Sequence, residues 1–366
     1  MSSVPDIRVA AVNEAPVEPG ARYVLYWMTA NRRSQSNFAL DRAIEWCREL
    51  GKPLVVLEPL RSDYPWASDR FHRFVMEGMK ANAESFADTA VRYYPYVEPE
   101  PGAGRGLLAA MAQSACVVVT DEFPAFFYPH MLKAAGKQLR IKLEKVDSNG
   151  LLPLRAADRV FPTAYAFRRF LQGALPQHWM QTPKPQPLRS LPARKQTSVP
   201  KDISAKWPPA SPSVLQNPDK SIAALPIDHD VPVTNTSGGS KAARRAMRRF
   251  INQRLDHYAD GRKSIEETTS ELSPYLHFGH ISTHEVFAQI VRHEGWMPDH
   301  IADNTSGKRA GWWNMRAAAE AFLDQIITWR EDGFNMAQLL SDYDRFDTLP
   351  AWALKTLHKH ADDPRP

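Results

Sequence analysis

The stretch Thr269-Ser270-Glu271-Leu272-Ser273-Pro274-Tyr275-Leu276-His277-Phe278-Gly279-His280-Ile281-Ser282 is the most informative in this 366-residue chain. Three hydroxyl side chains, Thr269, Ser270 and Ser273, stand just before a proline. Proline has its φ pre-set for the first turn of a helix and lacks the N–H that such a turn leaves unpaired. Pro274 therefore predicts a helix start, and the small residues before it let the backbone approach a ligand. Hydroxyls together with backbone N–H groups form a donor set suited to a pyrophosphate. The plainer alternative is a capped helix start whose Tyr275 and Phe278 fill a core.

Upstream, Ser237-Gly238-Gly239-Ser240 opens a predicted helix near Lys241. Ala243, Met247, Phe250, Ile251, Leu255 and Tyr258 give it one apolar face. Its glycine-rich start suits a phosphate on free N–H groups, or is an ordinary N-cap. Lys241, Arg244, Arg245, Arg248 and Arg249 line the opposite side, and no acid lies between residues 241 and 254. Such a face fits a phosphodiester backbone; a solvated helix face is the other reading. Further helices are predicted over residues 281–293 and 317–331, and no strand signal appears after residue 233.

The N-terminal half has another texture. Tyr23-Val24-Leu25-Tyr26-Trp27, Pro53-Leu54-Val55-Val56-Leu57 and Cys116-Val117-Val118-Val119-Thr120-Asp121 are continuous apolar runs, with a shorter one over residues 139–146. Runs of this kind are strands buried on both faces. Helical patterns over residues 38–50, 71–87 and 107–115 alternate with them, and Gly51 sits where the first helix should close. The fold class is therefore α/β with a parallel, doubly wound, Rossmann-like sheet, followed by an all-α part. The first strand-to-helix loop has no Gly-x-Gly-x-x-Gly, so any ligand there is held by other means. The expected organisation is a loose tail (1–20), an α/β domain (21–175), a proline-rich extended linker (176–235) and a helical domain (236–366).

Composition narrows the class. Hydrophobic residues make up 43% and charged residues 24%, and the formal charge is +5. That balance permits a polyanionic partner without requiring one. Two cysteines, Cys47 and Cys116, have no metal spacing and form no disulfide framework, which fits a reducing compartment. With no run near the roughly 18 apolar residues of a membrane span, and no signal-peptide layout at the N-terminus, a cytoplasmic protein is expected, without metal. The 10 Trp, 11 Tyr and 16 Phe call for a deep core or a site that stacks something flat.

The opening stretch resembles the flavin-contacting segment of the DNA photolyase/cryptochrome family, in a form close to the class II branch. Phe322-Leu323-Asp324-Gln325-Ile326-Ile327-Thr328-Trp329-Arg330-Glu331 resembles the family's helix ending in Arg-Glu. Tyr343-Asp344 and Leu349-Pro350-Ala351-Trp352-Ala353 resemble the segment after it. Leu25-Tyr26-Trp27 and Asn37-Phe38-Ala39-Leu40 resemble the first strand and helix of the antenna-type domain.

The resemblance implies a light-driven carbon–carbon lyase that repairs cyclobutane pyrimidine dimers in double-stranded DNA. Excited, reduced FAD passes an electron to a dimer flipped out of the duplex, and the electron returns after splitting. A cryptochrome-like photoreceptor or an inactive homologue are the other readings. Carried over residue by residue, Tyr258, Thr269, Ser270, Leu272 and Ser273 become flavin contacts, joined by Gln325 and Arg330; Glu331 falls among the family's cavity and ion-pair positions. Lys241, Arg244, Arg245, Arg248 and Arg249 become a DNA-facing surface. A second, antenna chromophore stays unnamed.

The chain departs from the pattern in three ways. Gln325 stands where Glu is usual, and an amide cannot act as a carboxylate. His280 stands where Gln is frequent, with no role implied. The sequence stops at Pro366, where family members continue into further flavin- and lesion-facing segments. The resemblance therefore implies apolar helix faces left uncovered, and FAD held weakly or not at all unless a second polypeptide completes the domain.

Overall fold

The computed structural model describes residues 3–191, 196–259 and 268–364. Six strands form one sheet: β1 (Val9–Ala11), β2 (Tyr23–Trp27), β3 (Leu54–Leu60), β4 (Arg92–Val97), β5 (Ala115–Glu122) and β6 (Leu143–Asp147), in the order β1-β6-β5-β2-β3-β4. The five strands from β2 to β6 run parallel, and β1 joins β6 antiparallel. Because side chains alternate along a strand, β2 feeds two cores. Val24 and Tyr26 meet Phe38, Leu40 and Ile44 of α1 (Phe38–Leu50). Tyr23, Leu25 and Trp27 meet α3 (Leu107–Ala112) and α4 (Tyr128–Gln138) on the other face. Helices on both faces explain why the central strands read as unbroken apolar runs. Gly51 closes α1 in the left-handed conformation, as expected.

Two strands escaped the sequence pattern. The edge strand β4 contains Pro95, which removes a ladder donor, and β1 has only three residues. β1 also overturns the expected loose tail. Arg8, just before it, is fully buried, 3.2 Å from Asp147, and donates to the carbonyls of Gly150 and Leu151. A lone arginine carries no sequence signal that it will be buried and paired.

The proline-rich stretch is not extended throughout. It forms α6 (Lys201–Lys206), α7 (Pro212–Gln216) and α8 (Pro218–Ile222), two of which open on a proline. Ile203 and Trp207 plug one sheet face, and Leu215, Ile222 and Leu225 pack on α2 (Asp69–Phe86). Single anchors at each turn are too sparse to show as periodicity.

The helical core gathers α5 (Ala164–Ala174), α9 (Ser240–Gln253), α10 (Ser273–His277), α11 (Thr283–Glu294) and α12 (Ala317–Leu323). Beyond α12 the chain does not stay α-helical: Asp324–Trp329 is a π-helical segment leading into α13 (Arg330–Leu339), and α14 (Ala351–Lys359) follows. α5 gives Phe167 and Leu171 to this core although it precedes the proline-rich stretch.

The sheet and the helices meet at the loop after β6. Arg33 donates to Ser148 O (3.2 Å), Arg330 to Asn149 O (2.7 Å), and the Glu331 carboxylate accepts N–H bonds from Leu151 (2.7 Å) and Leu152 (3.1 Å). Burial pushes the Glu331 carboxyl up to about 8, against those two amides and the guanidinium groups of Arg330 and Arg8.

Three histidines are also buried, His72 on α2 and His280 and His284 in the helical half. Burial lowers His72 to about 4 and His280 to about 3, and holds His284 well below its ordinary value. Each ring stays neutral in the fold but binds a proton when unfolded, so their contribution is complete above about pH 6.5 and is lost as the pH falls below it. Urea midpoints should drop steeply between about pH 6.5 and pH 4. His280→Gln should flatten that slope, and a slope unchanged in this variant would contradict the assignment.

Candidate functional site

The hydroxyl-rich turn is anchored from inside. Leu272 is completely buried. Tyr275 donates from its hydroxyl to Ser237 O at 2.9 Å and packs on Phe74 at 5.3 Å. Glu271 takes φ +56°, a left-handed conformation costing about 1–2 kcal/mol for a residue with a Cβ. It is held there by its carboxylate, which pairs with Arg249 and with Arg254 at 2.8 Å. Arg254 also donates to Thr269 O at 3.2 Å. Ser270 accepts from Leu272 N at 3.3 Å. Thr269 and Ser273 are exposed, and among the described residues their hydroxyls make no hydrogen bond. The turn thus has a fixed inner side and an outer side with donors to spare.

Of the other expected cofactor contacts, Tyr258 stands edge-on to Phe250 (5.7 Å) and Phe322 (5.3 Å), bringing it onto the same core as Leu272. Residues 260–267, which join it to the turn, lie outside the described residues. Gln325 is half-buried on the π-helical segment. Arg330 departs from its expected role: it is committed to Asn149 O and Thr283 Oγ1, with its guanidinium 4.5 Å from the Phe334 ring. Burial lowers it to about 10, and it serves the junction between sheet and helices.

Two further expectations change. The Gly238-Gly239 turn presents no free phosphate cradle. Gly238 N donates to Glu77 and Gly239 N to His280 Nδ1 at 2.9 Å. A Cβ on Gly238 would lie 1.9 Å from Phe74 O, so glycine is required there for close packing on α2. This gives His280 its place: it accepts from the start of α9 and stacks on Phe74 at 4.8 Å. The basic side of α9 is largely neutralised by acids distant in sequence. Lys241 pairs with Glu84, Arg244 with Glu285 and Arg249 with Glu271. Arg245 and Arg248 alone of the five make no ion pair among the described residues. A cleft of about 530 Å³ lies beside Arg245, Arg249, Glu271, Tyr275 and Ser237.

A second site was not foreseen. At the carboxyl ends of β2 and β5, where the sheet's connections diverge, a cavity of about 300 Å³ opens. Its walls are mainly aromatic: Tyr64, Trp66, Phe123, Phe126, Tyr128 and Phe278. Thr29 lines it too, with a buried hydroxyl that has no partner among the described residues. The loop beneath cannot also cradle phosphate. Asp121 takes up the N–H groups of Thr29 (2.8 Å), Ala30 (2.8 Å) and Asn31 (2.9 Å), which explains the missing glycine fingerprint. The sequence signal was present in Phe123-Pro124-Ala125-Phe126-Phe127-Tyr128, an aromatic run directly after a buried strand.

Among the described residues no cluster of His, Cys, Asp or Glu is arranged to hold a metal, and no helix is long and apolar enough to cross a membrane.

No protein-family model matches the chain. It is similar to the deoxyribodipyrimidine photo-lyase of Methanothermobacter thermautotrophicus, 28% identical over 352 residues, covering 95% of this chain and 69% of that protein. It is also similar to that of Potorous tridactylus, 23% identical over 349 residues, covering 93% of this chain and 58% of that protein. The crystal structure of a class III photolyase from Agrobacterium tumefaciens superposes with a TM-score of 0.56 at 17% identity, over 93% of this chain and 66% of that one. The chain thus spans between 58% and 69% of the length of these proteins.

The turn's position depends on Gly279, whose φ is +71° and whose Cβ would lie 1.9 Å from Ala30 O. Gly279→Ala should therefore lose most of the folded population. Gly295→Ala, also left-handed at φ +60° but with nothing within 4 Å, should lose only about 1–2 kcal/mol. Similar urea midpoints for the two variants would show that the contact with the 29–33 loop is not tight.

Proposed function

We propose, from the premise that this chain belongs to the photolyase/cryptochrome family, that it holds FAD by its phosphates at the 269–273 turn and serves light-driven splitting of cyclobutane pyrimidine dimers in double-stranded DNA. The observation that carries this reading is the anchored turn, with Leu272 inside and the Thr269 and Ser273 hydroxyls outside and uncommitted. The charges fit a pyrophosphate: Arg245, which has no acid partner among the described residues, lines the cleft beside Glu271 and Pro274, while the Glu271 charge is already balanced by Arg249 and Arg254. The chemistry supplied by bound FAD is electron donation from its reduced, excited form to the dimer, with return of the electron after cleavage.

The chain's own residues do the holding. Thr269 and Ser273 donate to phosphate oxygens, each such bond to a charged group being worth about 1.5–3 kcal/mol. Tyr258, Phe250 and Phe322 form an aromatic wall that keeps water from the inner side. Arg245 and Arg248 draw the polyanion. The exposed Trp329, Met336, Phe346, Leu349, Trp352 and Leu357 support a second polypeptide as the partner that covers them. The aromatic cavity above β2 and β5 suits a flat second chromophore, with Thr29 as its hydrogen-bonding partner.

The experiment is FAD titration of the purified chain, followed by illumination with an oligonucleotide carrying one dimer. Weak, saturable FAD binding is expected, reduced about tenfold or more in Thr269→Ala/Ser273→Ala. Dimer loss in the light, and none in the dark, is expected once a second polypeptide covers those side chains. Light-dependent flavin reduction without dimer binding would favour the photoreceptor reading. Absence of saturable FAD binding would overturn the proposal.

A further inference from the structure

The hydroxyl-rich turn holds a charged residue in a costly backbone conformation. Among the described residues four other than glycine take a positive φ, Ser36, Phe126, Glu271 and Asn314, and Glu271 is the charged one. At φ +56° its Cβ crowds the backbone, where glycine or asparagine would sit at less cost. Its side chain is 42% exposed and pairs with Arg249, which is 50% exposed, and with Arg254 at 2.8 Å. Ion pairs this open to water add little stability. Stability therefore does not explain a glutamate at this position, and backbone strain of this kind collects at functional sites.

What the carboxylate occupies is a set of groups suited to phosphate. Arg249 and Glu271 line the same cleft of about 530 Å³, together with Arg245, Thr236 and Asn235. A cleft of that size takes a whole organic ligand rather than one ion. Ala242 and Ala246, one helical turn apart on α9, also line it, so no bulky side chain keeps a ligand from the helix there. Glu271 is the only acid among the described residues that line it. Arg245 makes no ion pair among the described residues, whereas Arg249 is paired with Glu271. Arg254 joins the same carboxylate to Thr269 O at 3.2 Å, which ties the ion pairs to the turn. Pairing with Arg254 and Arg249 holds the Glu271 carboxyl below its ordinary value, so the group is charged throughout the neutral range.

We infer that Glu271 is an internal anion that competes with ligand phosphate for Arg249 and thereby sets which phosphate ligands the site retains. The inference rests on the reading that phosphate is held at the 269–273 turn. A ligand that takes Arg249 must displace the carboxylate, and its apparent affinity falls with the fraction of molecules in which the guanidinium is free. The same factor applies to every phosphate ligand. A lone phosphate makes few other contacts, so the site lets it go. A dinucleotide pyrophosphate also meets Arg245 and the Thr269 and Ser273 hydroxyls, and it stays bound.

The probes are inorganic pyrophosphate, FMN, FAD and riboflavin, each titrated by calorimetry into the full chain and into its Glu271→Gln variant. Glutamine keeps the size of the side chain and removes its charge. The expected result is affinity for pyrophosphate, FMN and FAD raised by a common factor of about tenfold, with riboflavin, which carries no phosphate, unchanged. Glu271→Gly, which removes the charge and the backbone strain together, should give the same rise. Phosphate affinities that stay the same in Glu271→Gln would overturn the inference and leave the flavin reading in place. A fall that includes riboflavin would also overturn it, by showing that Glu271 only shapes the turn. Pyrophosphate bound about tenfold more tightly by the variant, with FAD bound by neither protein, would uphold the competition and overturn the flavin reading. Absence of binding of every phosphate probe to both proteins would overturn both.

Discussion

The backbone contact between Gly279 and the 30–32 loop is the constraint from which the arrangement follows. It places a residue of the helical half directly on the strand-to-helix loop of the sheet, with no side chain between them. The loop is itself fixed by the Asp121 carboxylate, which binds three consecutive amides. A carboxylate occupies the place where related α/β sheets hold a ligand phosphate. The sheet thus gives up that binding mode and gains a rigid platform. On the platform sit the aromatic cavity and, one short helix away, the hydroxyl-rich turn.

Around this contact the polar groups are matched in a way that local sequence could not reveal. Arg8, Arg33 and Arg330 converge on the loop after β6, and Glu331 accepts two of its amides. Buried charges of this kind persist only where partners satisfy them. Their partners lie more than a hundred residues away in sequence, so nothing local marked Arg330, which the family resemblance implied as a cofactor contact, as a junction residue. The same applies to α9, whose basic side looked unopposed until Glu84, Glu285 and Glu271 arrived from other elements.

What was legible in the sequence was what short-range chemistry dictates. The buried strands β2, β3 and β5 showed as apolar runs because both faces are covered. Gly51 showed as a helix end because only a left-handed residue closes α1 there. Pro274 marked the start of α10, and the Thr269 and Ser273 hydroxyls before it lie on the outer side of the turn. What stayed hidden depends on tertiary pairing: the tail strand held by Arg8, the edge strand interrupted by Pro95, the short helices anchored by single residues, and the histidine at position 280. The cavity was half visible, in the aromatic run after β5. Its second wall comes from residues 150 positions later, and no periodicity joins the two.

The central claim is that the turn recognises the phosphates of a flavin nucleotide. Calorimetric titration of the chain with FAD and with riboflavin, which has the same ring system without phosphates, separates the two contributions. The account predicts that FAD binds at least about tenfold more tightly, as two or more hydrogen bonds to charged oxygens require. Equal affinities for FAD and riboflavin would show that the hydroxyls of Thr269 and Ser273 do not meet phosphate, and would contradict the account.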